Sequence, residues 1–192
     1  MNHIEGAKLA LRDQLITARG RIPLAERGAR AEATAQLLLA CAEVRRAATI
    51  AAYAGVGREP GTGFLLDALL AAGKHVLLPV LLPDNDLDWA RYTGPADLAT
   101  ARRGLLEPSG PGLGVEAIAG ADVVLVPGLA VDMRGRRLGR GGGSYDRALA
   151  RVPVGTFTCV LLNDEEILEE VPVEEHDRTV TAAATERRLL RF

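Results

Sequence analysis

The sequence predicts an α/β fold: a mostly parallel or mixed central sheet covered by helices on both faces. Two observations carry this. Short runs that are apolar throughout alternate with longer stretches of helical periodicity, and glycine or proline stands near most of the junctions. A strand with one wet face would alternate polar and apolar residues, and these runs do not. A third observation sets the organisation. No internal repeat, low-complexity stretch or linker divides the chain, so residues 1–192 read as one domain. A chain of 192 residues can bury about 70% of its unfolded surface.

The elements follow in order. Residues 2–19 set Ile4, Ala7, Leu11 and Leu15 at helical spacing, predicting an amphipathic helix. Pro23 suits the first turn of a second helix, running to about Val44 through alanine-rich sequence. Both opening helices are expected to pack on the sheet. Thr49–Tyr53 (TIAAY), bounded by Gly55 and Gly57, reads as a buried strand. Phe64–Ala72 is helical and stops at Gly73, a C-cap signal. His75–Val80 is the next strand, closed by Pro79 and Pro83, and Trp89–Tyr92 follows as a short strand beyond the acidic turn Asp84–Asp88. Residues 94–114 are rich in glycine and proline, which predicts an ordered loop with little regular structure. Asp122–Val126 is a strand, Tyr145–Arg151 a helix, Phe157–Leu162 a strand and Arg188–Phe192 a last strand.

Composition narrows the function. The chain is 48% hydrophobic and 25% charged, with a net charge of -2, a balance that argues against a general nucleic-acid binder. Cys41 and Cys159 form no CxxC pair and sit in apolar stretches, so they read as buried, reduced thiols rather than a zinc or redox motif. Glu5, Lys8, Arg12 and Asp13 interrupt the first fifteen residues, so no signal-peptide core is present. Nor is there an apolar run of about 18 residues to cross a membrane. The expected location is the cytoplasm and the expected partners are small molecules. Oligomeric state is not legible.

The most informative stretch is Val126–Arg147, VPGLAVDMRGRRLGRGGGSYDR, set between a strand and a helix. Gly139, Gly141, Gly142 and Gly143 free the backbone N–H groups of side-chain cover, so phosphate oxygens can approach. The following helix adds the positive end of its dipole. Arg136, Arg137 and Arg140 bring fork-shaped donors suited to phosphate. Asp146 is placed to hold a Mg²⁺ ion bridging phosphates. The pattern is neither GxxxxGK[ST] nor GxGxxG, since Ser144 stands where the third glycine of the latter belongs. Lys8 and Arg12, i and i+4 on one helix face with Arg19 two turns on, form a basic stripe that invites an anion.

These residues resemble the 5-formyltetrahydrofolate cyclo-ligase family, also called 5,10-methenyltetrahydrofolate synthetases, over nearly the whole chain. The shared pieces begin with Lys8-x-x-x-Arg12, Tyr53 followed by Glu59-Pro-Gly-Thr62, and Gly73-Lys74 before Leu78-Pro79. Gly104-Leu-Leu-Glu107-Pro108 follows. Pro127-Gly-Leu-Ala-Val-Asp132 then runs into Gly135-x-Arg137-Leu-Gly-x-Gly-x-Gly143-x-Tyr145-Asp146, and the stretch from Pro172 to His176-Asp177 closes the set.

The resemblance implies a three-layer α/β/α sandwich and an ATP- and Mg²⁺-dependent conversion of 5-formyltetrahydrofolate to 5,10-methenyltetrahydrofolate, releasing ADP and phosphate. It implies ATP contacts for Lys8, Arg12 and the run Arg137, Leu138, Gly139, Arg140, Gly141, Gly142, Gly143, Ser144 and Tyr145. Arg140 lies nearest the transferring group. Folate contacts fall to Glu59, Arg140, Gly141, Gly143, Ser144 and Tyr145, and Mg²⁺ to Asp146 and Asp177. His176 is expected at the surface. Three departures bear on the folate side: Ser144 replaces an aromatic residue, Gly142 stands where the family can carry lysine, and LLNDEEI replaces a glutamine-containing segment. Trp89 and Tyr92 either stack on the pterin or pack in the core. Two other functions fit the same residues: an ATP-dependent ligase or kinase on another small molecule, or a non-catalytic folate-binding protein. A pure binder should take the folate and ignore ATP.

Overall fold

The computed structural model describes residues 3–192, so Asn2, at the start of the predicted first helix, lies outside the described residues. The helices are α1 (His3–Gly20), α2 (Leu24–Ala40), α3 (Ala42–Arg46), α4 (Gly63–Ala71) and α5 (Ser144–Ala150). In chain order the strands begin with β1 (Thr49–Ala51), β2 (His75–Leu81), β3 (Leu87–Arg91), β4 (Leu98–Thr100), β5 (Leu106–Pro108) and β6 (Val123–Pro127). They continue with β7 (Ala130–Asp132), β8 (Arg137–Leu138), β9 (Phe157–Leu161), β10 (Ile167–Leu168), β11 (Ala182–Ala184) and β12 (Leu189–Arg191).

The main sheet has seven strands in the order β12-β11-β9-β6-β1-β2-β3. Its middle is parallel, and the edge strands β3 and β12 pair antiparallel. Consecutive residues of β6 explain why the run DVVLV is apolar throughout. Val123 and Leu125 face the core under α2, α3 and α4, whereas Val124 and Val126 face the opposite core with Ile118, Ala148 and Leu149. A parallel strand in the middle of three layers has no wet face. The three-layer α/β/α architecture follows.

Several predicted elements change on folding. The second helix ends at Ala40 because Cys41 is extended (φ -71°, ψ 143°), and α3 restarts at Ala42. Helix α1 does not join the helical layer. It buries Lys8, Leu15 and Arg19, and Leu11 and Leu15 meet Leu129, Leu138 and Val171 around a small separate sheet, β10-β7-β8. The buried stripe of α1 is therefore partly charged, and predicted face residue Ile4 is 39% exposed. The 94–114 loop contains the hairpin β4–β5. Trp89 and Tyr92 are core residues: Trp89 is fully buried, and the Tyr92 hydroxyl donates to Asp67 Oδ1 at 2.6 Å.

The turn from β7 to β8 depends on Gly135. Its φ is +73°, and a Cβ there would run into the Val180 carbonyl oxygen, where backbone rather than a flexible side chain would have to move. Gly135→Ala should cost about 2 kcal/mol and lower the melting temperature by roughly 4–8 °C, read by thermal unfolding.

Candidate active site

In open α/β sheets, ligands collect beyond the C-terminal ends of parallel strands where strand order reverses. Here β1 has β2 on one side and β6 on the other, so that point falls between β1 and β6. The chain leaving β1 supplies Tyr53 and Ala54, and the chain leaving β6 supplies Pro127 and Gly128. All four line a cavity of about 370 Å³ whose other wall is apolar, with Leu81, Leu87, Leu105 and Leu106. Across from those leucines stands the glycine loop. On the loop's far side lies a wider, more polar cleft of about 920 Å³, bordered by Lys8, Arg12, Arg147, Asp177 and Arg178. Residues 141–143 and Asp146 border both spaces, so the loop is a common wall.

Arginines fix that wall. Arg12 Nε donates to the Gly139 carbonyl at 2.9 Å, and Arg147 Nη2 donates to the carbonyls of Gly142 at 3.3 Å and Asn85 at 2.8 Å. Gly141 (φ +96°) and Gly143 (φ +68°) take left-handed conformations that disfavour other residues. Among the described residues, the N–H groups of 140–143 donate to no protein acceptor. Such a row of free donors is an anion cradle. Below it, Arg137 Nη1 donates to the Pro127 carbonyl and Arg19 Nη2 to the Gly128 carbonyl, so two guanidinium groups hold the chain where it leaves β6.

The charged residues sort by exposure. Arg140 is 56% exposed, and its Nε lies 3.2 Å from Glu59 Oε1, while Glu59 Oε2 accepts from the Val56 N–H. Arg137 is buried. Its Nη2 donates to Asp146 Oδ1 at 3.1 Å and its guanidinium lies 5.9 Å from the Tyr145 ring centre. It nevertheless lines both spaces. Asp146 Oδ1 also accepts from the Arg178 N–H, leaving Oδ2 without a protein donor. Burial, with Glu59 nearby, pushes the phenols of Tyr53 and Tyr145 up, so both stay neutral beside the loop.

Lys8 is 4% exposed, and its Nζ donates to Glu174 Oε2 at 2.8 Å and Asp177 Oδ2 at 2.5 Å. The chain's own carboxylates supply the negative charge that offsets the Lys8–Arg12 repulsion. Ligand atoms of Glu174, His176 and Asp177 lie within 4.8 Å of one another. Together with Asp146 on the same cleft, this oxygen-rich set suits Mg²⁺, which needs only one or two carboxylates beside phosphate and water. His176, 70% exposed, is a surface residue.

Burial works to raise the Asp177 carboxyl, but Lys8 and the Glu174 N–H outweigh it and hold it below the usual carboxylate range. A lowered folded-state pKa stabilises above about pH 4 and is lost as pH falls through the folded value. Wild type should therefore exceed Asp177→Asn in urea-unfolding free energy at pH 7, and the gap should close towards pH 3.

Two residues of the basic readings sit elsewhere. Arg19 is buried under the site and paired to Glu166, and Arg136 pairs with Asp132 in the small sheet. Sequence reading does not single out Arg103, Glu174, Arg147 or Arg178, since isolated charges in loops carry no pattern. Glu59, Arg140, the glycine loop, Tyr145 and Asp146 line one cavity, whereas Asp177 lies on the other side of the loop.

An open α/β sheet with a glycine-rich wall between an apolar cavity and a cleft of mixed charge, where Lys8, Arg12, Arg147 and Arg178 stand beside Glu5, Asp146, Glu174 and Asp177, has the form of a two-substrate enzyme. The family model of the 5-formyltetrahydrofolate cyclo-ligase family matches residues 4–186, and the chain belongs to that family. It is 42% identical over 187 residues to the 5-formyltetrahydrofolate cyclo-ligase of Mycolicibacterium smegmatis, covering 95% of each chain. The Mus musculus enzyme of the same name is 28% identical over 187 residues, with 92% of each covered. The NMR structure of Aquifex aeolicus 5,10-methenyltetrahydrofolate synthetase superposes with a TM-score of 0.82 at 28% identity, covering 96% of this chain and 92% of that one. Among the described residues, no helix is long and apolar enough to cross a membrane.

Proposed function

We propose that this protein converts 5-formyltetrahydrofolate and ATP into 5,10-methenyltetrahydrofolate, ADP and phosphate. The observation that carries the reading is the shared wall: an apolar cavity sized for a ring system and a charged cleft, offering Arg12, Arg147 and the loop N–H groups to phosphate and carboxylates to a metal ion, meet at one glycine loop. The formyl oxygen attacks the γ-phosphorus and ADP leaves. The amine at the 10-position then attacks the activated carbon, loses its proton, and the phosphate departs as the ring closes. No side chain needs to become covalently attached. The protein's work is alignment and charge stabilisation.

In this reading Arg12, Arg140 and the loop N–H groups hold phosphate oxygens, and Lys8 lies on the same cleft beside Glu174 and Asp177. Asp146 and Asp177 would hold Mg²⁺, which when bound would supply neutralisation of phosphate charge. Glu59 takes a hydrogen-bond donor of the folate ring, and Tyr145 and Ser144 close the wall beside it. The reaction belongs in the cytoplasm, where Cys41 and Cys159, free and buried, remain thiols. Mixing protein, 5-formyltetrahydrofolate and Mg·ATP should give an ATP-dependent rise in the near-ultraviolet absorbance of the methenyl product. No rise at high enzyme concentration sinks the proposal, and ATP binding without folate turnover redirects it to another small-molecule substrate.

A further inference from the structure

Three arginines border the apolar cavity: Arg103, Arg137 and Arg140. Arg137 is tied to Pro127 and Asp146, and Arg140 to Glu59. The cavity's two carboxylates, Glu59 and Asp146, are thereby both engaged. Arg103 is exposed, and among the described residues its side chain has no hydrogen bond or ion pair. It is the cavity's uncompensated cation.

Its backbone is equally distinctive. Arg103 sits at the tip of the β4–β5 hairpin with φ 59° and ψ 20°, a left-handed conformation that glycine takes freely and arginine does not. The tip is otherwise well bonded, with the Ala101 N–H donating to the Leu105 carbonyl at 2.8 Å and the Gly104 N–H to the Ala101 carbonyl at 3.2 Å. Leu105 and Leu106, next along the chain, form part of the apolar wall. The hairpin thus presents a hydrophobic ledge ending in a fork-shaped cation, at a position where glycine would suit the fold better.

We propose that Arg103 is a specificity-determining residue that receives a carboxylate of the substrate's glutamate tail. This rests on the folate reading above. A folate consists of a flat ring system, an aromatic spacer and a terminal glutamate carrying two carboxylates. Glu59 offers an acceptor to the ring, the leucine wall covers the spacer, and Arg103 at the exposed hairpin tip meets the anionic end. A guanidinium matches a carboxylate with two parallel N–H donors, which an ammonium cannot do.

The test compares 5-formyltetrahydrofolate with 5-formyltetrahydropteroate, which lacks the glutamate, by calorimetric binding and by KM. Wild type should favour the glutamate-bearing molecule about tenfold. Arg103→Ala should abolish that preference, leave kcat and the KM for ATP unchanged, and leave pteroate binding unaltered. Arg103→Lys should retain part of the preference. Arg103→Gly should lose it while melting no lower than wild type, which a residue serving only the fold would not allow. Equal binding of the two molecules by wild type, or an undiminished preference in Arg103→Ala, overturns the assignment. A raised KM for ATP in Arg103→Ala overturns it too, by giving Arg103 to phosphate. Binding separates the two levels: tight folate binding without ATP-dependent turnover refutes the cyclo-ligase reading and leaves the tail contact standing.

Discussion

Asp146→Asn should lower turnover with Mg·ATP by about a hundredfold or more while leaving the melting temperature within a few degrees of wild type. The structure makes this substitution selective. Asp146 Oδ1 accepts from Arg137 Nη2 and the Arg178 N–H, and an asparagine carbonyl can keep both bonds. What disappears is the negative charge, and with it the anionic Oδ2 facing the junction of the two spaces. A weakened bond to the buried Arg137 guanidinium costs stability on the order of 1 kcal/mol. Loss of a Mg²⁺ ligand acts on the reaction instead, so a magnesium titration should show the variant needing a higher concentration for half-maximal rate. Unchanged turnover and an unchanged magnesium requirement would remove Asp146 from the metal site.

The second large effect concerns stability. Arg19 and Glu166 are 2% and 3% exposed and form a two-pronged pair, Nε to Oε1 at 2.6 Å and Nη2 to Oε2 at 2.7 Å. Glu166 also accepts from Asn163, through the backbone N–H and the side-chain amide. Removing one member leaves the other charge buried without compensation. Glu166→Leu should therefore cost about 3–5 kcal/mol, lowering the melting temperature by roughly 6–20 °C. Pairing it with Arg19→Met should recover much of the loss, because an apolar pair of similar volume escapes the desolvation penalty. A double variant as unstable as the single one would show that Arg19 matters chiefly through the Gly128 carbonyl it holds.

How much of this was legible depends on the physical signal each element leaves in the chain. Thr49–Tyr53, His75–Val80, Asp122–Val126 and Phe157–Leu162 were readable as strands because burial on both faces demands continuous apolar runs. Strand β11 (Ala182–Ala184) was not, since alanine favours helices and its place between β9 and β12 is set by the sheet alone. β7, β8 and β10 are too short for periodicity to register. The break at Cys41 falls in an alanine-rich run without glycine or proline to mark it. At the site, the loop and Asp146 were visible through their glycine spacing. Lys8 and Arg12 were visible too, but not the carboxylates that hold Lys8, which lie more than 160 residues away. Arg19 and Glu166, 147 positions apart, met only on folding.

The wall shared by the two spaces has a thermodynamic consequence. Arg12 and Arg147 pin the partition at the Gly139 and Gly142 carbonyls, and the freedom its glycines keep between those points can be lost only once. The ligand that arrives first bears the entropic cost of stiffening the loop, and the second finds it already stiff. The two ligands should therefore strengthen each other's binding, and by linkage the factor must be the same whichever comes first.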